Sequence, residues 1–263
     1  LGLENVHFVM KTWIELDYGG LLWSLGLVLL AIALSFWQKL KLEQSIILAC
    51  SRAFLQLLIL GTVLALGLQG FPFCLLVILL FLTLSTFFTT RRISEDLPEL
   101  FWPIWFALLL STALIVSLAI LLIIRPSSNL LTQYLLVLSL VTIASSSQAS
   151  IVAGTRLVNC LNNNRLEIET RLCLGACYRE SISIYRLEAI KSAMSLNQIM
   201  WLGLVSLPTL MAGQIISGVD PLNAASYQLL LTFMLILANL VTLLLVTEAI
   251  TQSYFNSSDQ LIL

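Results

Sequence analysis

Residues 72–90 read PFCLLVILLFLTLSTFFTT, nineteen positions without a charged side chain. As an α-helix they would rise about 28 Å at 1.5 Å per residue, close to the ~30 Å hydrocarbon core of a bilayer. The run Leu75-Leu76-Val77-Ile78-Leu79-Leu80 carries no polar residue at alternate positions, which a strand of a membrane barrel would need for its inner face. A backbone in lipid must satisfy its own hydrogen bonds, so the block predicts a membrane-crossing helix.

Outward from this block, six further apolar stretches have the same length and character: 19–37, 46–68, 102–124, 131–157, 198–217 and 225–250. Composition agrees. Of 263 residues, 59% are hydrophobic and 10% charged, with a mean hydropathy of +0.99. Soluble domains carry roughly 25% charged residues, so this chain cannot cover a water-facing surface. The expected architecture is an all-α, polytopic membrane protein with seven transmembrane helices, one domain over 1–263, in the cell membrane.

Lys and Arg fix the expected orientation. Lys39, Lys41, Arg91, Arg92, Arg165, Arg171, Arg179, Arg186 and Lys191 follow the first, third and fifth blocks, whereas the opposite side holds Lys11 and Arg125. That predicts a cytoplasmic C-terminus and an N-terminus outside. The residues ahead of the first block include Glu4, Glu15 and Asp17 and lack the basic region of a cleaved signal peptide, so that block is expected to be retained.

Between the fifth and sixth blocks lies the one long polar interval, 159–198. It holds nine of the 27 charged residues, with apolar side chains at helical spacing around Leu174-Gly175-Ala176. An amphipathic cytoplasmic insert of this kind predicts a docking element. Residues 165–178 are expected to form a short helix that touches a partner, and 179–197 a surface helix leading into the sixth span.

Several chemistries are excluded or weak. No Gly-Lys dipeptide occurs, so no phosphate loop is present and the chain is expected to be a transport subunit rather than an enzyme. It is expected to bind no cofactor of its own. No basic run suggests nucleic acid. Five cysteines, two of them inside apolar blocks, do not make a disulfide framework. Cys160, Cys173 and Cys177 could share a metal, but free thiols are the simpler outcome, and no metal site is assigned. Met200, Met211 and Met234 suit packing better than metal binding. Glu248 is the one carboxylate inside a span, and interfacial exposure suits it better than ion binding.

Polar residues within the spans mark a candidate substrate pathway. Arg52 and Gln56 share a helix face at i, i+4; Ser145, Ser146 and Gln148 sit in a small polar cluster of the fifth span. Pro208 should kink the sixth, with Gln214 near it. Each has a plainer explanation: Arg52 snorkels to the interface, the serines form a helix seam, and Pro208 is architecture.

Glu169-Thr170-Arg171-Leu172-Cys173-Leu174-Gly175-Ala176 resembles the E-A-A-x3-G loop by which ABC-transporter permeases dock on their ATPase. The importer form continues to I-x-L-P, whereas Tyr185-Arg186-Leu187-Glu188 keeps only the leucine. Three more stretches, Ser51 to Leu57, Gly203 to Pro208 and Gly213 to Pro221, resemble the FetB-type permeases, a family of bacterial iron exporters and plant aluminium-tolerance proteins. The resemblance implies a homodimeric permease working with a separate ABC ATP-binding subunit, which would bind the ATP and Mg. It places Leu166, Ile168, Glu169, Leu172, Leu174, Gly175 and Ala176 at the coupling contact. Iron efflux is the implied activity. An anionic organic cargo, such as a nucleotide sugar or metal chelate, fits the span residues as well. A stand-alone channel or carrier is the alternative from another class.

Overall fold

The computed structural model describes residues 18–39, 43–94, 98–124, 130–194 and 208–255. It is helical throughout these segments. Five helices are long and apolar enough to cross a membrane: α2 (Glu43–Gly67), α3 (Phe71–Ile93), α4 (Phe101–Leu118, running on in a π-type turn over Ala119–Ile124), α5 (Leu131–Asn163) and α9 (Pro221–Tyr254). A further apolar helix, α1 (Tyr18–Trp37), precedes them. The polar interval forms α6 (Arg165–Cys173) and α7 (Tyr178–Ala193), and α8 (Thr209–Ile216) leads to α9.

The expected sixth span, 198–217, lies largely outside the described residues. Its described end corrects one expectation. Pro208 is not a kink within a helix but stands at the N-terminal boundary of α8, with φ −60° and ψ 136°. A ring-locked φ and a missing N–H suit that boundary, where no intrahelical donor is needed.

α5 organises the bundle. It packs against α3, α4 and α9, and against the insert helix α7, while among the described residues α2 packs mainly on α1 and α3. Buried hydroxyls within the spans are satisfied locally: Thr86, Thr112 and Thr142 each donate to the carbonyl four residues earlier, at 2.8, 2.6 and 2.6 Å. This lets hydroxyls sit in an apolar helix without another partner. Thr242 also joins α9 to α4 through Ser111, at 2.7 Å.

With 33 and 34 residues, α5 and α9 would each be about 50 Å long, well beyond the hydrocarbon thickness. Near the insert they enclose the largest core, which includes Ile104, Leu157, Leu161, Ile182, Val246 and Ile250. There α3 and α5 approach closely over Gly154, where a Cβ would lie 2.6 Å from Ile93 Cδ1. Gly154→Leu is therefore expected to cost about 1–3 kcal/mol through overpacking. Gly61, with open space around it, gives the control, and Gly61→Leu should leave the thermal midpoint in detergent unchanged. Equal midpoints for both variants would contradict the close approach.

A turn explains one of the sequence motifs. Gly218 has φ +90°, and its N–H and that of Val219 bond back to Ile215 and Gln214, closing α8 in a Schellman arrangement. Asp220 then accepts from the N–H groups of Leu222 and Asn223, with Pro221 at the first position of α9. Gly-Val-Asp-Pro thus ends one helix and starts the next.

Candidate functional site

The insert is built as a short arm held at one side and free at the other. α6 ends at Cys173, five residues before the expected boundary, because Gly175 adopts φ +90° and terminates it. The N–H groups of Gly175 and Ala176 bond to the carbonyls of Leu172 and Arg171, again a Schellman cap. Space around the Gly175 Cβ direction is open, so glycine is required by backbone conformation rather than by crowding.

The expected coupling residues divide between the two sides. Leu166 and Leu174 are 81% and 82% exposed, and Glu169 pairs with Arg165 at 2.8 Å on the outer side. Ile168 corrects the expectation of a docking side chain. It is wholly buried in the core between α5, α7 and α9, and Leu172 packs partly against the same core. A one-residue step turns a helix by about 100°, so side chains two apart face nearly opposite ways. Ile168 therefore anchors the arm that Leu166 and Leu174 leave open.

Polar contacts complete the anchorage. Glu167 accepts from the Tyr185 hydroxyl at 2.8 Å and from Arg171 at 2.7 Å, which joins α6 to α7. The tyrosine hydrogen bond, followed by the Arg171 charge, holds the Glu167 carboxyl below the usual carboxylate range. Its contribution is present at neutral pH and is lost as the pH falls through that lowered value.

α7 does not lie as a free surface helix. Ser181, Ile182, Ala189 and Ala193 are buried against the bundle. Arg186 donates to Glu248, to Thr247 Oγ1 at 3.0 Å and to the Leu244 carbonyl at 2.9 Å. Arg179 meets the other Glu248 oxygen at 2.8 Å. Glu248, expected at an open interface, is instead about three-quarters covered and clamped between two arginines of the insert. Nothing in the local sequence pairs these residues, which stand 62 positions apart.

Within the spans the expected pathway residues separate. Gln56 and Gln148 line one cavity of about 450 Å³ between α2, α3 and α5, together with Ser85, Thr89 and Ser147. Arg52 is exposed and does not belong to the lining. Ser145 and Ser146 face α9, where both donate to Asn239 Oδ1 at 3.2 and 3.1 Å. They form a seam and leave the cavity to their neighbours. Asn239 was legible as the lone amide in the run from Leu229 to Val246. Gln214 lines a second cavity, near the start of α9. Pro208 reaches neither cavity lining.

Among the described residues no group of three or more His, Cys, Asp or Glu side chains could hold a metal ion. Cys173 and Cys177 are exposed free thiols. Met234 is core.

A family model described as an uncharacterised protein family, UPF0014, matches residues 18–255. The chain is 38% identical over 253 residues to the UPF0014 membrane protein slr1647 of Synechocystis, covering 95% of this chain and 98% of the relative. It is 27% identical over 253 residues to the probable iron export permease protein FetB of Escherichia coli, covering 91% and 92%. The protein ALUMINUM SENSITIVE 3 of Arabidopsis thaliana is 27% identical over 241 residues, covering 90% and 87%. No solved structure matches the chain.

Proposed function

The chain belongs to the UPF0014 family, as a multi-pass membrane protein, and from that premise we propose that it is the membrane-spanning subunit of an ATP-driven exporter. Its insert would face the cytoplasm and dock on a separate ABC ATP-binding subunit. Two copies of each chain would make the working assembly. ATP and Mg would be bound by the partner, and this chain would supply the route and the coupling contact.

The observation that carries this reading is the arm itself. Two leucines, Leu166 on a nine-residue helix and Leu174 at its C-cap, stand about four-fifths exposed, and the helix's other side is anchored by buried Ile168. Covering each in a groove would contribute about 1.5–3 kcal/mol. A rigid anchor lets force on the tip reach α5 and α9, because α7 packs on both. A stand-alone carrier would have no use for such a tip.

The test is capture of a co-expressed solitary ATP-binding cassette protein from the same genome by the tagged chain. Leu166→Asp with Leu174→Asp should abolish capture while the thermal midpoint stays within a few degrees, since neither side chain is packed. Undiminished capture and ATPase stimulation by the double variant would overturn the assignment.

Iron is the cargo that one relative's name supplies, and export of iron is accordingly the first reading. An organic cargo, including a metal chelate, is the second. It is favoured by the cavity lining, where amides and hydroxyls stand in place of the thiolates, imidazoles or carboxylates that a bare transition-metal ion selects.

A further inference from the structure

We propose that two of the cavities along α5, the one beside Gln148 and the one beside Tyr134, are successive chambers of one route, and that the route carries an uncharged, polyhydroxylated molecule. The inference rests on the transport reading above, takes its organic cargo in place of iron, and adds the path and the chemical class of what moves.

The inner chamber takes Ala144, Ser147, Gln148 and Ile151 from α5. The outer one takes Gln133, Tyr134, Val137, Leu138 and Val141 from the same helix, and Leu130 at its N-cap. Val141 and Ala144 are less than one turn apart, so the two chambers follow each other along α5. Tyr134, Val141 and Gln148 recur every seven residues, a spacing that drifts by only about 20° per step and keeps them on one helix face. From 130 to 151 the helix would rise about 32 Å, the thickness of a hydrocarbon core. The stacked chambers therefore extend across a bilayer. Ser145 and Ser146, turned towards Asn239, lie off this face.

Chemistry of the lining selects the cargo. Each chamber has a volume of about 450 Å³, within the range of small-molecule sites. The polar groups of the outer chamber are Gln133, Tyr134, Gln214 and Tyr227, and those of the inner are two glutamines, two serines and a threonine. Among the described residues no carboxylate, ammonium, guanidinium, imidazole or thiol lines either one. A bare ion would lose its hydration there with no opposite charge in return. A neutral hydroxylated molecule loses less, because an amide both accepts and donates and can replace the water on each hydroxyl.

The outer chamber also holds an unmet acceptor. Gln214 Oε1 is buried without a hydrogen-bond partner among the described residues. Tyr134 and Tyr227 hydroxyls lie 3.1 Å apart, so one donates to the other and the second hydrogen remains to give. A ligand hydroxyl can donate to Gln214 Oε1 and accept from the tyrosine pair. Leu210 and Leu230 offer apolar surface to its C–H faces.

The experiment uses the full chain in membrane vesicles, with its five cysteines replaced by serine and single reporters introduced. Gln148→Cys and Ser147→Cys report the inner chamber, Tyr134→Cys the outer, and Phe106→Cys an exposed position on α4 that lines neither. The near-isosteric Ser147→Cys guards against misfolding at the glutamine. A neutral, hydroxylated, water-soluble methanethiosulfonate should modify the three route positions at least tenfold faster than Phe106→Cys. Sorbitol should slow modification of the inner reporters several-fold, whereas ferrous ion and inorganic phosphate should not. Unreactive route positions in the folded variants would overturn the route. Absence of protection by sorbitol, or protection by ferrous ion or phosphate, would overturn the cargo class. Labelling needs no ATPase, so its failure is distinguishable from failure of the docking test. Reactive route positions in a chain that captures no ATPase would retain the route and remove the ATP-driven reading.

Discussion

Ile168→Ala is expected to destabilise the insert end of the protein by about 2–4 kcal/mol and to free α6 from the bundle. Ile168 is wholly buried, in a core that also contains Leu157, Leu161, Ile182, Val246 and Ile250. Truncation removes three carbons from a site where α5, α7 and α9 converge, and these long helices can collapse onto the void only in part. The thermal midpoint should fall by several degrees in detergent. Tryptic cleavage at Arg165 and Arg171 should accelerate, since both arginines lie on the released helix. Leu166→Ala, two residues earlier and 81% exposed, should change neither measurement. Equal effects of the two substitutions would show that α6 is not anchored through Ile168.

The second large effect concerns the Arg186–Glu248 clamp. Arg186→Met is expected to cost about 2 kcal/mol, between the ~1 kcal/mol or less of an exposed pair and the ~3–5 kcal/mol of a broken buried one. Both side chains are about one-quarter exposed, and the substitution also removes the donors to Thr247 Oγ1 and the Leu244 carbonyl. In Glu248→Gln, Arg186 keeps Thr247 Oγ1 and the Leu244 carbonyl as acceptors and an amide oxygen still stands in the carboxylate's place, so this substitution should cost less than Arg186→Met. In a double-mutant cycle the two should couple by about 1 kcal/mol or more, because they touch directly. If the assembly is ATP-driven, the clamp is the polar tie between the docking insert and α9. Its loss should leave ATPase stimulation in place and reduce transport. Additive effects on stability, or unimpaired transport, would rule that out.

Much of the site was legible residue by residue, but not its arrangement. Gln56, beside Arg52 on one helix face, Gln148 in the small polar cluster and Gln214 near Pro208 all stand out in the sequence, and each lines a cavity. Ser145 and Ser146 belong to the same cluster as Gln148, yet they turn to Asn239 and close a seam. Adjacent positions on a helix face about 100° apart, so a cluster such as Ser145 to Gln148 must serve different neighbours. Ile168 shows the same limit. Its apolar character suits a partner's groove and the protein's own core equally well.

The sequence by itself determined that the molecule is an all-helical membrane protein and where five of its long apolar helices run. Those properties are local: a backbone in hydrocarbon must bond within one contiguous segment, and a window of about 20 residues reveals it. The tertiary structure alone decided which helix face meets protein and which meets lipid. Lipid is as apolar as a protein core, so hydrophobic pattern cannot tell the two apart. It also decided that Glu248 would be held by Arg186, a contact made across 62 residues that no periodicity announces.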